Sequence, residues 1–249
     1  MMAKPCPPLE GGLTGARLPG AISAMRMPAA LLLCLVVTGC ARPLAPGEEE
    51  LAARLFGDTL DPGRVRLFEN GLIGAISREY KVRPRTTCRE RIRPPHQGPS
   101  FTARAAGAVL GHVIHLRPDI MRPDYTARHD GVASLAAVMF LAHELTHVWQ
   151  WQNRAITGYT PIRAAFEHVG GNDPYLFDPA SKARFLEMGY EQQAVLVEEY
   201  ICCTVLDPDG ARTQRLRATQ AEMMPLLARV LDRPVAIPRP DGAPEGICH

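Results

Sequence analysis

The sequence has little of several features that mark other classes of protein. Aromatic residues make up only 6% of its 249 positions, and its formal net charge is +2. Such a small charge gives no electrostatic reason to expect a nucleic acid as partner. No Cys-x-x-Cys pair occurs, so a zinc site built from thiolates is not expected. There is no internal repeat either, and a hydrophobic content of 46% indicates one globular domain.

No apolar run is long enough to cross a bilayer as a helix, which takes about twenty residues. The run at 29–38 has the length of a signal-peptide core instead, and Arg26 supplies the positive charge before it. It ends in Val37-Thr38-Gly39-Cys40, which resembles the lipoprotein box of bacteria and implies cleavage before Cys40 and a lipid on its thiol. We expect residues 1–39 to be a signal peptide, with Met25 as the true start, and the protein to lie in the cell envelope, periplasmic or at the outer membrane.

Four further cysteines lie beyond Cys40: Cys88, Cys202, Cys203 and Cys248. An even number in an oxidising compartment suggests disulfides, and four cysteines allow three pairings. Cys202 and Cys203 are neighbours on a predicted helix, where their side chains point about 100° apart. We expect at least one of them to pair with Cys88 or Cys248; the alternative is that both are small buried apolar residues.

After the signal peptide, the sequence predicts a tether, one domain and a tail. Residues 40–50 hold the lipidated cysteine and the tether, residues 51–235 form the domain, and residues 236–249 are the tail. Local patterns predict a helix at 48–56, a turn at 61–63, and strands at 65–68, 101–105 and 108–116.

An arginine-rich stretch at 81–100 lies between the predicted strands at 65–68 and 101–105. Pro84, Pro94 and Pro95 break it, and its arginines are Arg83, Arg85, Arg89, Arg91 and Arg93. Arginine is almost never fully buried without a partner, so such a run is usually a solvated loop. We expect these arginines to face solvent.

A long helix is predicted from Val132 to Gln152, and its first half is almost entirely apolar, as in a buried helix. Its second half contains His143-Glu144-Leu145-Thr146-His147. Histidines four residues apart lie one turn apart on the same face, so both imidazoles can reach one ion. Zn²⁺ matches this ligand set, and Glu144 would act as general base toward a water molecule that the zinc activates.

A third ligand has to come from elsewhere, since catalytic zinc sites use three protein ligands. The second long helix is predicted at 181–206, with Asp178 as its cap and Pro179 in its first turn. Its acids are Glu187, Glu191, Glu198 and Glu199. Glu191 and Glu198 share a helical face, but spacing alone does not choose among the four.

The His-Glu-Leu-Thr-His motif followed by Glu191-Gln192-Gln193-Ala194 resembles the gluzincin group of metallopeptidases. In that group the third ligand is the first glutamate of a downstream Glu-x-x-Ala stretch, which implies Glu191 here. Many gluzincins have an aspartate four residues later that orients a ligand histidine, whereas this chain has Val195. The orienting role falls either to Glu198 or to a backbone carbonyl.

More narrowly, the chain resembles a bacterial zincin-like domain family of unknown function, often labelled "vgr-related" because of its proximity to type VI secretion genes. The matching blocks are 55–61, 65–67, 108–116, 141–150 and 190–199. The resemblance implies an α+β fold in which a small, mostly antiparallel sheet packs on the buried motif helix and on a second, glutamate-bearing helix, with a helix-rich C-terminal part. It also implies a secretion-system or envelope protein as partner.

The segment 153–180 and the start of the second helix supply candidates for stabilising an oxyanion, a task that a tyrosine, histidine or arginine can perform. Among Tyr159, His168, Tyr175 and Tyr190 we choose His168 and Tyr190; the alternative is ordinary packing.

Histidines also occur on the predicted strand at 108–116. His112 and His115 are three apart, so they should face opposite sides of the strand and be structural. By analogy with zincins, an extended peptide substrate would pair with this strand.

Three functions follow as hypotheses. The first is an exported, lipid-anchored zinc metallopeptidase that hydrolyses peptide bonds. The second is a non-catalytic binding or assembly lipoprotein of the cell envelope with the same fold; Val195 favours it, whereas the intact Glu144 opposes it. The third is a disulfide-stabilised lipoprotein without a metal.

Overall fold

The structure of the protein is a computed structural model that describes residues 41–129, 132–169, 173–176, 178, 183–223 and 246–249. The predicted signal peptide and Cys40 lie outside these residues. None of the helices in the described ranges is long and apolar enough to cross a membrane.

The α+β class expected from the sequence is confirmed. Two long helices, α3 (Leu135–Gln152) and α6 (Tyr190–Leu206), pack against each other and carry most of the functional side chains discussed below. Trp149 on α3 helps to anchor that helix, because its fully buried ring stacks on that of Phe56. The remaining helices are α1 (Pro46–Phe56), α2 (Cys88–Arg91), α4 (Arg154–Thr157), α5 (Pro161–Glu167) and α7 (Ala211–Met223).

A mixed four-stranded sheet packs on α3 with the strand order β1-β2-β6-β5. Only β2 and β6 run parallel, so the sheet is mostly antiparallel, and β5 lies at its edge. A hairpin of β3 and β4 and a short β7–β8 pair complete the described strands. The bounds are β1 Ala41–Arg42, β2 Arg66–Glu69, β3 Ser77–Lys81, β4 Ser100–Arg104, β5 Gly107–Leu110, β6 Val113–Leu116, β7 Arg128–His129 and β8 Val132–Ala133.

The prediction of one strand at 108–116 is wrong. Gly111 has a φ of +66°, which glycine adopts without steric cost, and the chain reverses there into the hairpin of β5 and β6. His112 lies in the turn, 3.3 Å from the side-chain amide of Gln152, and His115 lies on β6 beside Phe68. Both histidines make packing contacts, but on different elements rather than on opposite faces of one strand.

Helix α3 begins at Leu135, three residues after the predicted start. Ser134 precedes it with extended backbone, and its hydroxyl accepts a hydrogen bond from the N–H of Ala137 at 3.4 Å. A serine at this position satisfies one of the free N–H groups of the first turn. The residues predicted as the first turn of the helix instead form β8.

Helix α6 begins only at Tyr190, so the predicted start at 181 is wrong. The backbone of Met188 and Gly189 is extended, which ends a short 3-10 turn that contains Glu187. Asp178, the predicted cap, lies outside the helix and is exposed. The acids at 191 and 198 are therefore on α6, whereas Glu187 precedes it.

The predicted tether belongs to the fold. Residues 41–42 pair with β2, and α1 starts at Pro46, two residues before the predicted start. The fully buried carboxylate of Glu48 accepts hydrogen bonds from Arg42, at 2.7 and 2.8 Å, and from the N–H of Tyr125 at 2.8 Å. Charge-assisted bonds of this kind are the strong ones, so they fix the start of the domain to the rest of it.

Two disulfides join α6 to distant parts of the chain. Cys202 bonds Cys88 at the start of α2, and Cys203 bonds Cys248 near the C-terminus. The structure thus selects one of the three pairings that the sequence left open, and the two neighbours take different partners, as their directions on a helix require. The last four residues of the predicted tail are attached to the domain by this second bond, whereas 236–245 lie outside the described residues.

The arginine-rich stretch is not simply a solvated loop. It contains the short helix α2, which Thr87 and Glu90 cap reciprocally: the Thr87 hydroxyl accepts from the N–H of Glu90, and the Glu90 carboxylate accepts from the N–H of Thr87. One of its arginines, Arg89, turns inward and reaches a buried acid on α6.

Candidate metal centre

Helix α3 directs His143 and His147 toward α6 and Glu144 toward Gly107 on β5, and all three side chains are buried. Such burial follows from the apolar sequence around them, which places the whole helix inside the domain. Polar groups are costly to bury without partners. Each of the three therefore needs a partner.

Glu191 comes from the first turn of α6, where it is held from two sides. The Glu167 carboxylate, at the end of α5, accepts hydrogen bonds from the N–H groups of Tyr190 and Glu191 at 2.7 and 3.1 Å, and so caps a helix whose own N-cap is a glycine. The next residue, His168, places its Nε2 3.0 Å from Oε1 of Glu191. The other oxygen of Glu191 is directed at α3.

Three potential ligand atoms converge between the two helices. The Nε2 atoms of His143 and His147 are 3.2 Å apart, and Oε2 of Glu191 lies 3.1 Å from the first and 3.4 Å from the second. Bonds of about 2.0–2.2 Å to a tetrahedral zinc ion put neighbouring ligand atoms about 3.4 Å apart. The three residues therefore have a spacing that suits one metal ion.

Gln150 fixes the tautomer of His147. Its Nε2 donates to the carbonyl of Tyr190 and to Oε1 of Gln193, each at 3.0 Å, so its Oε1 is the atom that lies 2.8 Å from Nδ1 of His147. An amide oxygen only accepts, hence Nδ1 carries the proton and Nε2 presents a lone pair to the group.

A carboxylate orients His143 in a corresponding way. Oε1 of Glu198 lies 3.1 Å from Nδ1 of His143, an electrostatic contact rather than a well-aligned hydrogen bond. The other oxygen of Glu198 lies 2.8 Å from Nη1 of Arg89. Because an ionised carboxylate only accepts, the proton of His143 is favoured on Nδ1 and its lone pair on Nε2. Of the two alternatives left by Val195, the structure places Glu198 beside the histidine.

Two lone pairs and a carboxylate oxygen this close repel one another unless a cation or a proton lies among them. The group could hold a metal ion. No family model matches the chain, and no curated protein matches it. Among solved structures, the chain is similar to the effector domain of Pseudomonas aeruginosa VgrG2b, with 19% sequence identity and a TM-score of 0.45, over 78% of this chain and 92% of that one.

The members of the group shift one another's pKa values. Burial disfavours a charge on His143, but the carboxylates of Glu198 and Glu191 outweigh it and raise its pKa to about 10. The pKa of His147 is also raised, against its burial, chiefly by Glu191. Conversely, the two histidines hold the pKa of Glu191 well below its usual range, although burial acts in the other direction. A proton and a metal ion therefore compete for the same lone pairs.

Glu144 differs from the other acids of the site. Burial raises its pKa, and the neighbouring histidines offset this only in part. Its carboxylate lies against Gly107 at the start of the edge strand β5, where a Cβ atom would come within 2.6 Å of Oε1. A carboxyl group with a raised pKa beside a strand edge is suited to accept a proton and return it near neutral pH.

The oxyanion candidates chosen from the sequence occupy different places. His168 contacts Glu191, as described above. The hydroxyl of Tyr190 lies 3.5 Å from the carbonyl of Thr157 instead, and its ring packs edge-on against Tyr159. Tyr175, which we did not choose, has its ring centroid 6.1 Å from that of His143. Burial and the nearby carboxylates raise the pKa of its hydroxyl, so it remains a donor at neutral pH.

Several contacts of the site escaped the sequence analysis. Gln150 could have been found, because it follows His147 by three residues on a helix and so lies on the same face. Arg89 and Glu167 reach α6 from separate helices, and no local pattern indicates either contact.

A second group of potential ligands consists of the sulfur atoms of Cys88, Cys203 and Cys248. All three are bonded in disulfides, and only a thiolate is a good metal ligand. The disulfides thus leave the His-His-Glu group as the metal-binding candidate among the described residues.

Proposed function

We propose that the protein is an exported zinc-dependent metallopeptidase that cleaves peptide bonds outside the cytoplasm and is attached to a membrane by a lipid on Cys40. The observation that carries this proposal is the convergence of His143, His147 and Glu191 at the spacing of zinc ligands, with Glu144 directly beside them. A purely structural zinc site has no need of such a base, which supports a catalytic role.

Each of the buried side chains has its own role in the proposed reaction. Zinc held by the two histidines and Glu191 would supply a Lewis acid that makes water nucleophilic at neutral pH. Glu144 would take a proton from the water that attacks the peptide carbonyl and pass it to the leaving amine. Its raised pKa supports both steps. The protonated hydroxyl of Tyr175 donates to the carbonyl oxygen as negative charge develops there.

The edge strand β5 supports a peptide as the substrate. Its outer edge pairs with no described strand, so its backbone groups can bond an extended chain. Gly107, the first residue of β5, has no side chain to separate that chain from Glu144. Leu110, at the other end of β5, is 60% exposed and offers an apolar contact to the same chain.

Replacement of Glu144 by Gln tests the role of the base. The variant should bind one zinc ion per chain by native mass spectrometry, because the ligands are unchanged, but lose about 10²–10⁴-fold in turnover. Glu187→Gln, a change of an exposed glutamate just before α6, is the matched control and should leave both properties unchanged. Cleavage at the wild-type rate by Glu144→Gln would refute the role of this residue.

The alternatives give different results in two simple assays. A binding or assembly lipoprotein would retain zinc but leave a broad peptide library intact with or without a chelator, whereas the peptidase would digest it only without one. A lipoprotein without a metal would contain no zinc in the first place. Membrane attachment is tested by Cys40→Ser, which should release the protein from the membrane fraction.

A further inference from the structure

Arg89 is the arginine of the arginine-rich stretch whose guanidinium meets a buried acid of the metal centre. Its side chain is only 20% exposed, and Nη1 lies 2.8 Å from Oε2 of Glu198. The guanidinium also lies over the ring of Tyr175, 5.8 Å from the centroid. It therefore contacts two residues that border the site, Glu198 and Tyr175.

Glu198 lies between Arg89 and His143 and contacts each of them with a different carboxylate oxygen. Oε2 faces the guanidinium, while Oε1 faces Nδ1 of the histidine at 3.1 Å. The Glu198 side chain is only 4% exposed, so its charge depends on these two partners rather than on water. If Arg89 is removed, Oε2 of Glu198 loses the partner that fixes its direction, so Oε1 is no longer held toward Nδ1 of His143.

The backbone that carries Arg89 is fixed to α6. Cys88, the preceding residue, forms the disulfide with Cys202, and its N–H donates to Oε2 of Glu199 at 2.6 Å. Glu199 is itself held by Arg212, whose Nη1 lies 2.5 Å from Oε1. The short helix α2 is thus attached to the same part of α6 that presents Glu198.

The charges of the centre also require Arg89. The carboxylates of Glu144, Glu191 and Glu198 lie in or beside the group, and Arg89 is the described guanidinium in contact with one of them. Without Arg89, the buried carboxylate of Glu198 would lose the guanidinium that contacts it.

We propose that Arg89 is a positioning residue of the zinc site: it holds Glu198 in the orientation that directs Nε2 of His143 at the metal. The inference rests on the proposed function, since it assigns a role toward the zinc that function requires.

The test measures zinc affinity of the full mature chain at pH 7 by competition with a chromophoric chelator. Arg89→Met should lower the affinity about 10–100-fold, the range typical of residues that orient a metal ligand. Arg91→Met removes an arginine from the same helix that donates instead to the carbonyl of Ile247, and should stay within twofold of wild type. Arg89→Lys restores the charge and should recover most of the loss.

A second readout separates positioning from general stability. The visible absorption bands of the Co²⁺-substituted protein report ligand orientation, and they should shift in Arg89→Met but not in Arg91→Met. Equal affinities and spectra for the two variants would overturn the inference, as would a lysine variant no better than the methionine one. If Arg89→Met does not fold, Arg89→Gln takes its place with the same thresholds. Absence of zinc binding by the wild type would instead refute the proposed function.

Discussion

The two histidines of the motif lie one turn apart on α3, yet their Nδ1 atoms face opposite kinds of neighbour. His143 faces the carboxylate of Glu198, whose other oxygen contacts Arg89. His147 faces the amide of Gln150, which two further hydrogen bonds hold in place. A carboxylate makes the imidazole more basic as well as orienting it, whereas a neutral amide only fixes its tautomer and direction. The motif therefore has a charged side, formed by His143 with Glu198 and Arg89, and a neutral side, formed by His147 with Gln150. The two sides have separate tasks.

The largest expected effect comes from removing the partner on each side in turn. Glu198→Gln should lower zinc affinity about 10–100-fold, because the histidine loses its charged partner and Arg89 loses its acid. Gln150→Met should lower it about fivefold, since a neutral hydrogen bond contributes about 1 kcal/mol. Competition with a chelator measures both. Equal losses would mean that the charge of Glu198 has no special part and that the two sides are alike.

The pH dependence of stability and of zinc affinity gives a second way to compare the charged side of the motif with the neutral one. With its pKa raised to about 10, His143 takes up a proton on folding of the metal-free protein, so this stabilisation is complete below pH 6.5 and is lost as the pH rises toward 10. Zinc must displace that proton, so its affinity should rise about tenfold per pH unit over this window.

Thermal unfolding without zinc should therefore occur at lower temperature as the pH rises through that window. With saturating zinc the unfolding temperature should change little, because the gain in zinc affinity offsets the loss of stability of the metal-free protein. In Glu198→Gln the rise of zinc affinity should end at a lower pH, because the carboxylate that does most to raise the pKa of His143 is gone. A pH-independent affinity in the wild type would contradict the shift.

The α+β class, the motif helix and the position of Glu191 beside the two histidines could be predicted from the sequence. Helical spacing and short motifs carry this information, because each depends on residues close together in the chain. The hairpin at Gly111 did not, since an apolar run reads as one strand unless the conformation of its glycine is known. The inward turn of Arg89 was also missed. A run of arginines indicates charge, but only the fold shows which one meets a buried carboxylate far along the chain.

The smallest effect on zinc affinity, and the most specific, is expected from the two disulfides. They leave adjacent residues of α6 and are both buried, so each is the control for the other. Their sequence separations are 114 and 45 residues, and loop entropy makes the first more stabilising by about 0.8 kcal/mol. Both double serine variants should consequently unfold at lower denaturant concentration. Only Cys88→Ser/Cys202→Ser frees the helix that presents Arg89, so only that variant should lose zinc affinity, by a few-fold. If Cys203→Ser/Cys248→Ser loses as much, the effect is one of general stability, and the charged side of the centre does not depend on where α2 is attached.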